Sequence, residues 1–383
     1  MMYLVVSTSY KKNMRICHCA DLHLDSKMTT HLTDEQAKER KNELLHNFIR
    51  LVDYVKTKNI SAVIIAGDLF DKKTISVHAK NIVFETIRAN PNIKFYYLQG
   101  NHDLSNIIES LDVVPENLFT FKDTWTSYII NDNENYKIVL TGIELENQNS
   151  ADVYSTLFLQ PESYNIVTMH GQLSQYGVKD DAEVIDLSKL KNKNIDYLAL
   201  GHIHQYQDGK LDARGSFCYP GCLEGRGYDE TGDHGFVVID INEKTHLATR
   251  EFIPFAMRKL YEIPVDVSNC NSTSDIIRNI EAELTNYDCK ETDLVKFVLT
   301  GEADVKAEKD LSLIVKTFNG RFYCVRAKDH SKIAIDYESY SLDTSLKGEF
   351  VRLIKQDESI KEDDKREMIR CALQVLNGEE IEL

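Results

Sequence analysis

Residues 15–23 read Arg15-Ile16-Cys17-His18-Cys19-Ala20-Asp21-Leu22-His23, an apolar run of strand length that ends in a carboxylate and an imidazole. The same design returns along the chain. Ala62–Ala66 runs into Gly67-Asp68-Leu69-Phe70-Asp71, and Lys94–Leu98 runs into Gly100-Asn101-His102-Asp103. Asn165–Met169 meets His170-Gly171, and Tyr197–Leu200 meets Gly201-His202-Ile203-His204. With Phe236–Ile241, these near-continuous apolar runs read as strands buried on both faces. Leu44, Leu45, Phe48, Leu51, Val52 and Val55 share one face of a helix between the first two runs, and a second helix is expected from Val77 to Ile87. Strands separated by helices and long loops indicate an α/β layered domain, with 111–164 less regular. Ligands of open α/β sheets bind outside the carboxyl ends of the strands, so the strand-end loops should converge on one site.

Further along, a composition change near Pro254 and Pro264 marks a boundary. Leu260–Val267, Leu294–Thr300 and Arg321–Arg326 read as strands, and Ser274–Leu284 and Leu311–Phe318 as helices, of a small α+β module. Leu346, Phe350, Leu353 and Ile354 form one helical stripe, and Ile369, Ala372, Leu373 and Leu376 a second. Such terminal helices pack either on the chain's own body or on a partner. The 383 residues carry 45 Lys plus Arg against 61 Asp plus Glu, a net charge of −16, so a broadly basic nucleic-acid-coating surface is excluded. A metal centre that meets phosphate locally is not, because bound cations can dominate a site's charge. The eight cysteines lack repeated paired zinc spacing and read as reduced core residues. Met1–Val6 is too short an apolar run for a membrane span and has no leading positive charge, so a cytoplasmic location is expected, with no membrane contact.

Five of the twelve histidines (23, 102, 170, 202 and 204) fall in the strand-end loops. Asp, Asn and His without thiolate suit borderline-hard ions such as manganese, iron or zinc. The candidates are too many for one ion. Two ions about 3.5–4 Å apart, bridged by a carboxylate, are the expected arrangement for in-line displacement at phosphorus.

The ordered set Asp21-x-His23, Gly67-Asp68-x-x-Asp71, Gly100-Asn101-His102-Asp103, His170-Gly171 and Gly201-His202-x-His204 resembles the signature motifs of the calcineurin-like metallophosphoesterases, over roughly residues 14–242. Within that superfamily, Met14–Asp25, Ala66–Asp71 and Tyr219–Arg226 are similar to the SbcD exonuclease family, whose members pair with a large coiled-coil ATPase in double-strand-break repair. Met14 also sits where members of that family begin, which makes 1–13 a candidate start-site extension. The resemblance implies a layered sandwich of β-sheets flanked by helices over 14–255, an α+β capping domain over 256–330 and a helical ATPase-docking tail over 331–383. It implies Asp21, His23 and His204 on a first ion, Asn101, His170 and His202 on a second, and Asp68 bridging them. It further implies His102 as the group that protonates the leaving oxygen or stabilises the transition state, with Asp71 orienting it. Repair nucleases commonly carry His at the position of Asp71, whereas many protein phosphatases carry Asp, so the core motifs leave nuclease and phosphatase chemistry both open. Arg226 is a candidate phosphate contact. By the same resemblance the cofactor is a pair of divalent ions, Mn2+ first with Mg2+, Fe or Zn as alternatives, and the partners are DNA, an SbcC-like coiled-coil ATPase and a second copy of the chain. The implied function is a metal-dependent 3′-to-5′ exonuclease or endonuclease subunit; the alternative is a phosphoesterase acting on a phosphoprotein, a cyclic nucleotide or another small phosphodiester.

Overall fold

The computed structural model describes residues 13–28, 32–71, 75–101, 103, 107–133, 136–145, 153–174, 184–242, 245, 247–304, 307–334, 340 and 342–377. The first unit, Met1–Leu260, contains β1 (Asn13–Cys19), α1 (Asp34–Thr57), β2 (Ala62–Ala66), α2 (Val77–Arg88), β3 (Lys94–Leu98), β4 (Leu118–Thr120), β5 (Thr126–Asn133) and β6 (Tyr136–Gly142). It continues through β7 (Tyr164–His170), β8 (Gln172–Leu173), β9 (Val184–Ile185), α3 (Leu187–Leu190), β10 (Tyr197–Gly201), β11 (Gln207–Lys210), β12 (Ser216–Tyr219), β13 (Gly235–Asn242) and β14 (Ala248–Pro254). Two six-stranded sheets result, ordered β14-β13-β1-β2-β3-β4 and β11-β12-β10-β7-β6-β5.

Alternation along each strand explains the layers. On β2, Ala62 and Ile64 face the core between the sheets while Val63 and Ile65 face α1 and α2; on β3, Tyr96 and Leu98 face inward and Phe95 and Tyr97 outward. Tyr197 and Ala199 of β10 enter the same inter-sheet core, and Leu198 and Leu200 enter a third cluster on the far side of the second sheet. With both faces covered, every residue of β2, β7 and β10 is buried. The two sheets also meet through a polar contact, His18 Nδ1 lying 2.8 Å from the Tyr197 hydroxyl. Local signals set the helix starts: Thr33 and Gln36 form a capping box on α1, and Ser76 caps α2. At the end of this unit the backbone N–H groups of Met257 and Arg258 donate to Glu224, and the Arg258 side chain pairs with Glu43 of α1.

The second unit, Tyr261–Leu383, holds most of β15 (Leu260–Asp266), α4 (Thr273–Leu284), β16 (Leu294–Thr300), β17 (Glu302–Ala303), α5 (Leu311–Phe318), β18 (Cys324–Asp329) and β19 (Lys332–Ile333). Its three-stranded sheet, β15-β16-β18, buries Ile263, Val265, Val295, Phe297 and Leu299 with Ile276, Ile280, Ile314 and Phe318. The helices Leu346–Gln356 and Glu362–Asn377 pack on each other through Val351, Ile369 and Leu373. The division between the two units falls at Leu260/Tyr261, and both of these helices belong to the second. Among the described residues no helix is long and apolar enough to cross a membrane.

Arg40 is 1% exposed and bonds Glu43 at 2.6 Å, Glu224 at 2.9 Å and the Gly225 carbonyl at 2.7 Å, clamping α1 to the segment after β12. Removing one partner of a buried ion pair strands the other charge. Arg40→Ala should therefore lower the unfolding free energy by about 3–5 kcal/mol in denaturant titration, and a loss below about 1 kcal/mol would reject the clamp.

Candidate metal centre

The carboxyl ends of β1, β2, β7 and β10 bring the motif residues together. After β1 and β2 the chain leaves the sheet as two joined loops: Asp21 N–H donates to the Gly67 carbonyl, His23 N–H to the Asp68 carbonyl and Leu24 N–H to the Leu69 carbonyl. Asp21, His23, Asp25, Asp68 and His202 all have positive φ, at 51°, 41°, 67°, 50° and 109°. For residues with a Cβ this conformation is strained, and it persists where the surroundings dictate it. Glycines make the close approaches. A Cβ on Gly67, whose φ is 94°, would sit 2.0 Å from His170 Nδ1, and one on Gly100 would sit 2.2 Å from Asp68 Oδ1.

Two three-residue groups each place ligand-type atoms within 4.8 Å of one another: Asp21, His23 and His204, and Asp21, Asp68 and His170. Asp21 belongs to both. Asp68 Oδ2 lies 3.6 Å from His23 Nε2 and 3.5 Å from His170 Nε2, so it too stands between the groups. His23 Nε2 and His204 Nε2 are 3.1 Å apart, and Asn101 Oδ1 is 3.0 Å from His170 Nε2. His202 presents its backbone N–H to both Asp21 oxygens, at 2.9 and 3.0 Å, while its ring packs edge-on against His170 with centroids 5.4 Å apart. Imidazole nitrogens and carboxylate oxygens thus converge from separate loops, and the donor set fits a pair of divalent cations.

Buried charge governs this centre. Burial first, then the charge of Asp68, pushes the Asp21 carboxyl up to about 6 against the counter-pull of His170 and His204. Burial alone would lower His170, but the charge and hydrogen bond of Asp68, with Asp21, push it up to about 10. The carboxylates demand positive charge, and without a cation the imidazoles supply it.

Around these groups lie residues whose part is orientation. Asp103 accepts from the backbone N–H groups of Leu69, Phe70 and Gly100 at 3.2, 2.8 and 2.9 Å, fixing the two turns that carry Asp68 and Asn101. Asp25 accepts from Ser76 N–H at 2.6 Å and pairs with Lys41 at 2.9 Å, linking the first loop to the start of α2. His102, the expected acid, lies outside the described residues. Asp71 is half-buried, and its charge acts on the Arg226 guanidinium. Arg226 bonds Glu230 at 2.9 Å, and Glu230 lies 2.6 Å from His204 Nδ1. The sequence reading missed Glu230; its only local signal is the Arg226/Glu230 spacing in a glycine-rich turn.

Proton linkage follows from the His170 shift. A shift up to about 10 favours the protonated ring at neutral pH, and a cation held by His170 would need it neutral, so binding there would expel the proton and strengthen as pH rises toward about 10. Calorimetry with Mn2+ in buffers of different ionisation enthalpy should show release of roughly one proton or more near pH 7, and affinity rising from about pH 6 to 9. Proton-neutral binding, or affinity falling over that range, contradicts the assignment.

The sequence profile described as calcineurin-like phosphoesterase matches residues 14–206. The uncharacterized metallophosphoesterase YhaO of Bacillus subtilis (strain 168) is 25% identical over 309 residues, covering 76% of this chain and 72% of the relative. The DNA double-strand break repair protein Mre11 of Saccharolobus solfataricus is 25% identical over 374 residues, 92% of each chain. Among solved structures, TT1561 of Thermus thermophilus aligns with TM-score 0.41 and 11% identity over 63% of this chain and 99% of that one. The profile spans the strand-end loops that carry the buried carboxylates and imidazoles, and the chain therefore belongs to the calcineurin-like phosphoesterase family, hydrolases that act on phosphoester bonds.

Proposed function

We propose that this chain is a metal-dependent DNA nuclease, the catalytic subunit of an SbcCD-like double-strand-break repair complex. One observation carries the reading from phosphoesterase to nuclease. The similarity to the Mre11 of Saccharolobus solfataricus extends over 92% of both chains, well past the segment 14–206 that the family profile matches, and so takes in the second unit. The helix pair at the end of that unit supports a partner: Leu346 and Leu353 are 72% and 58% exposed, an apolar face suited to a coiled-coil ATPase. A second copy of the chain and a cytoplasmic location belong to the same reading.

In this proposal Asp21, His23 and His204 hold one divalent ion, and Asn101, His170 and His202 hold the other, with Asp68 between them. Manganese is the proposed metal. A bound pair supplies charge stabilisation for in-line displacement at phosphorus and lowers the pKa of water from about 15.7 to about 7. The chain's own residues do the rest. The Ala66 carbonyl, 2.9 Å from His170 Nδ1, accepts from the far side of the ring and leaves Nε2 turned toward Asp68 and Asn101. The His202 backbone N–H fixes the Asp21 carboxylate, and His102 donates the proton to the departing oxygen with Asp71 as its positioning partner. The alternative, a phosphatase acting on a phosphoprotein or small phosphodiester, is favoured by Asp71 at a position where repair nucleases commonly carry His.

The two readings separate on substrates. Purified protein with Mn2+ should degrade DNA, and His102→Ala should cut that rate by about 10²–10⁴-fold while metal content stays near two ions. Rapid turnover of a small phosphoester with no DNA hydrolysis, alone or with an ATPase partner, selects the alternative. Loss of metal in His102→Ala would instead make His102 a ligand.

A further inference from the structure

The two groups of the metal centre are supported differently. On the His170 side, the ring nitrogen facing away from the centre meets a neutral acceptor, the Ala66 carbonyl, at 2.9 Å. On the His204 side the corresponding Nδ1 meets a carboxylate, Glu230 Oε1, at 2.6 Å. Glu230 is 5% exposed and stands in the segment between β12 and β13. Both of its oxygens are engaged: Oε1 also receives the Arg226 guanidinium at 2.9 Å, and Oε2 receives the Arg226 backbone N–H at 2.7 Å. Its own backbone carbonyl lies 2.9 Å from His234 Nε2. Six residues earlier in the same segment, Glu224 is held by Arg40 and Asn47 of α1 and by the backbone N–H groups of Met257 and Arg258. The segment is therefore fastened to the body of the first unit and delivers one carboxylate to His204.

We propose that Glu230 is a positioning residue for His204: its carboxylate holds Nδ1 so that Nε2 faces Asp21 and His23, and Arg226 supplies the compensating charge. This inference rests on the two-ion reading and adds to it an asymmetry, with one ion position built on a carboxylate-supported imidazole and the other on a carbonyl-supported one. An imidazole that donates its far N–H to a carboxylate is fixed in tautomer and orientation and is a more basic ligand. A buried carboxylate is tolerated when it is paired, and Arg226 is the pair. Arg226, expected as a phosphate contact, is occupied by this task, its guanidinium 2.9 Å from Glu230 and 3.3 Å from His204 Nδ1.

The test is Mn2+ titration calorimetry on the full-length chain, wild type against Glu230→Gln and Glu230→Ala, with the melting temperature of each metal-free protein measured alongside. The wild type should bind two ions. Glu230→Gln, which keeps size and an accepting oxygen, should weaken one of the two, with Glu230→Ala weakening the same ion further, by roughly 10–100-fold, while the other ion binds as in the wild type. A merely structural role would lower both affinities together, and that outcome overturns the proposal. Two ions bound at wild-type affinity in Glu230→Gln also overturns it and leaves the two-ion reading intact. Fewer than two ions on the wild type removes the reading itself, and Glu230's role with it. If Glu230→Ala fails to fold, the isosteric Gln variant decides alone.

Discussion

Two carboxylates, Asp21 and Asp68, are buried at the ends of adjacent parallel strands, each 1% exposed, and the rest of the centre answers their charge. Isolated buried carboxylates are too costly to persist, so each must be paired, protonated or metal-bound. His23, His170 and His204 close on them from the ends of β1, β7 and β10, and the His202 N–H takes both oxygens of Asp21. The result is a site whose buried carboxylates favour cations, in keeping with the net charge of −16 of the chain as a whole.

Rigid surroundings make that arrangement possible. Five of the eight non-glycine residues with positive φ among those described lie on the strand-end loops, and each costs on the order of 1–3 kcal/mol. The cost is met by two sheets with an apolar layer between them and by carboxylates that clamp the loop backbones, Asp103 on the turns at Asp68 and Asn101 and Asp25 on the start of α2. Gly67 and Gly100 sit where any side chain would collide with His170 or Asp68, so the glycines of the motifs are steric requirements of the centre.

What the sequence disclosed follows from how each element is buried. β1, β2, β3, β7, β10 and β13 were legible as near-continuous apolar runs because both faces of each are covered. β5, Thr-Ser-Tyr-Ile-Ile-Asn-Asp-Asn, and β14, Ala-Thr-Arg-Glu-Phe-Ile-Pro, are sheet edges with mixed composition, and β11, Gln-Asp-Gly-Lys, has no apolar side chain at all, so none carried a strand signal. The motif side chains were legible because each directly follows a strand. Glu230 was not: it reaches His204 only through the turn after β12, and that contact is fixed by Arg226 and by the distant network around Glu224. Asp21 as a member of both groups was equally hidden, since a sequence shows which loops converge but not which oxygen lies between them.

The most direct measurement is an anomalous-scattering crystal structure of the protein soaked with Mn2+. Two peaks about 3.5–4 Å apart are expected, one among Asp21, His23 and His204 and one beside Asn101, His170 and His202, with Asp68 reaching both. A single peak, or manganese bound elsewhere while these side chains keep their present contacts, would contradict the two-ion centre.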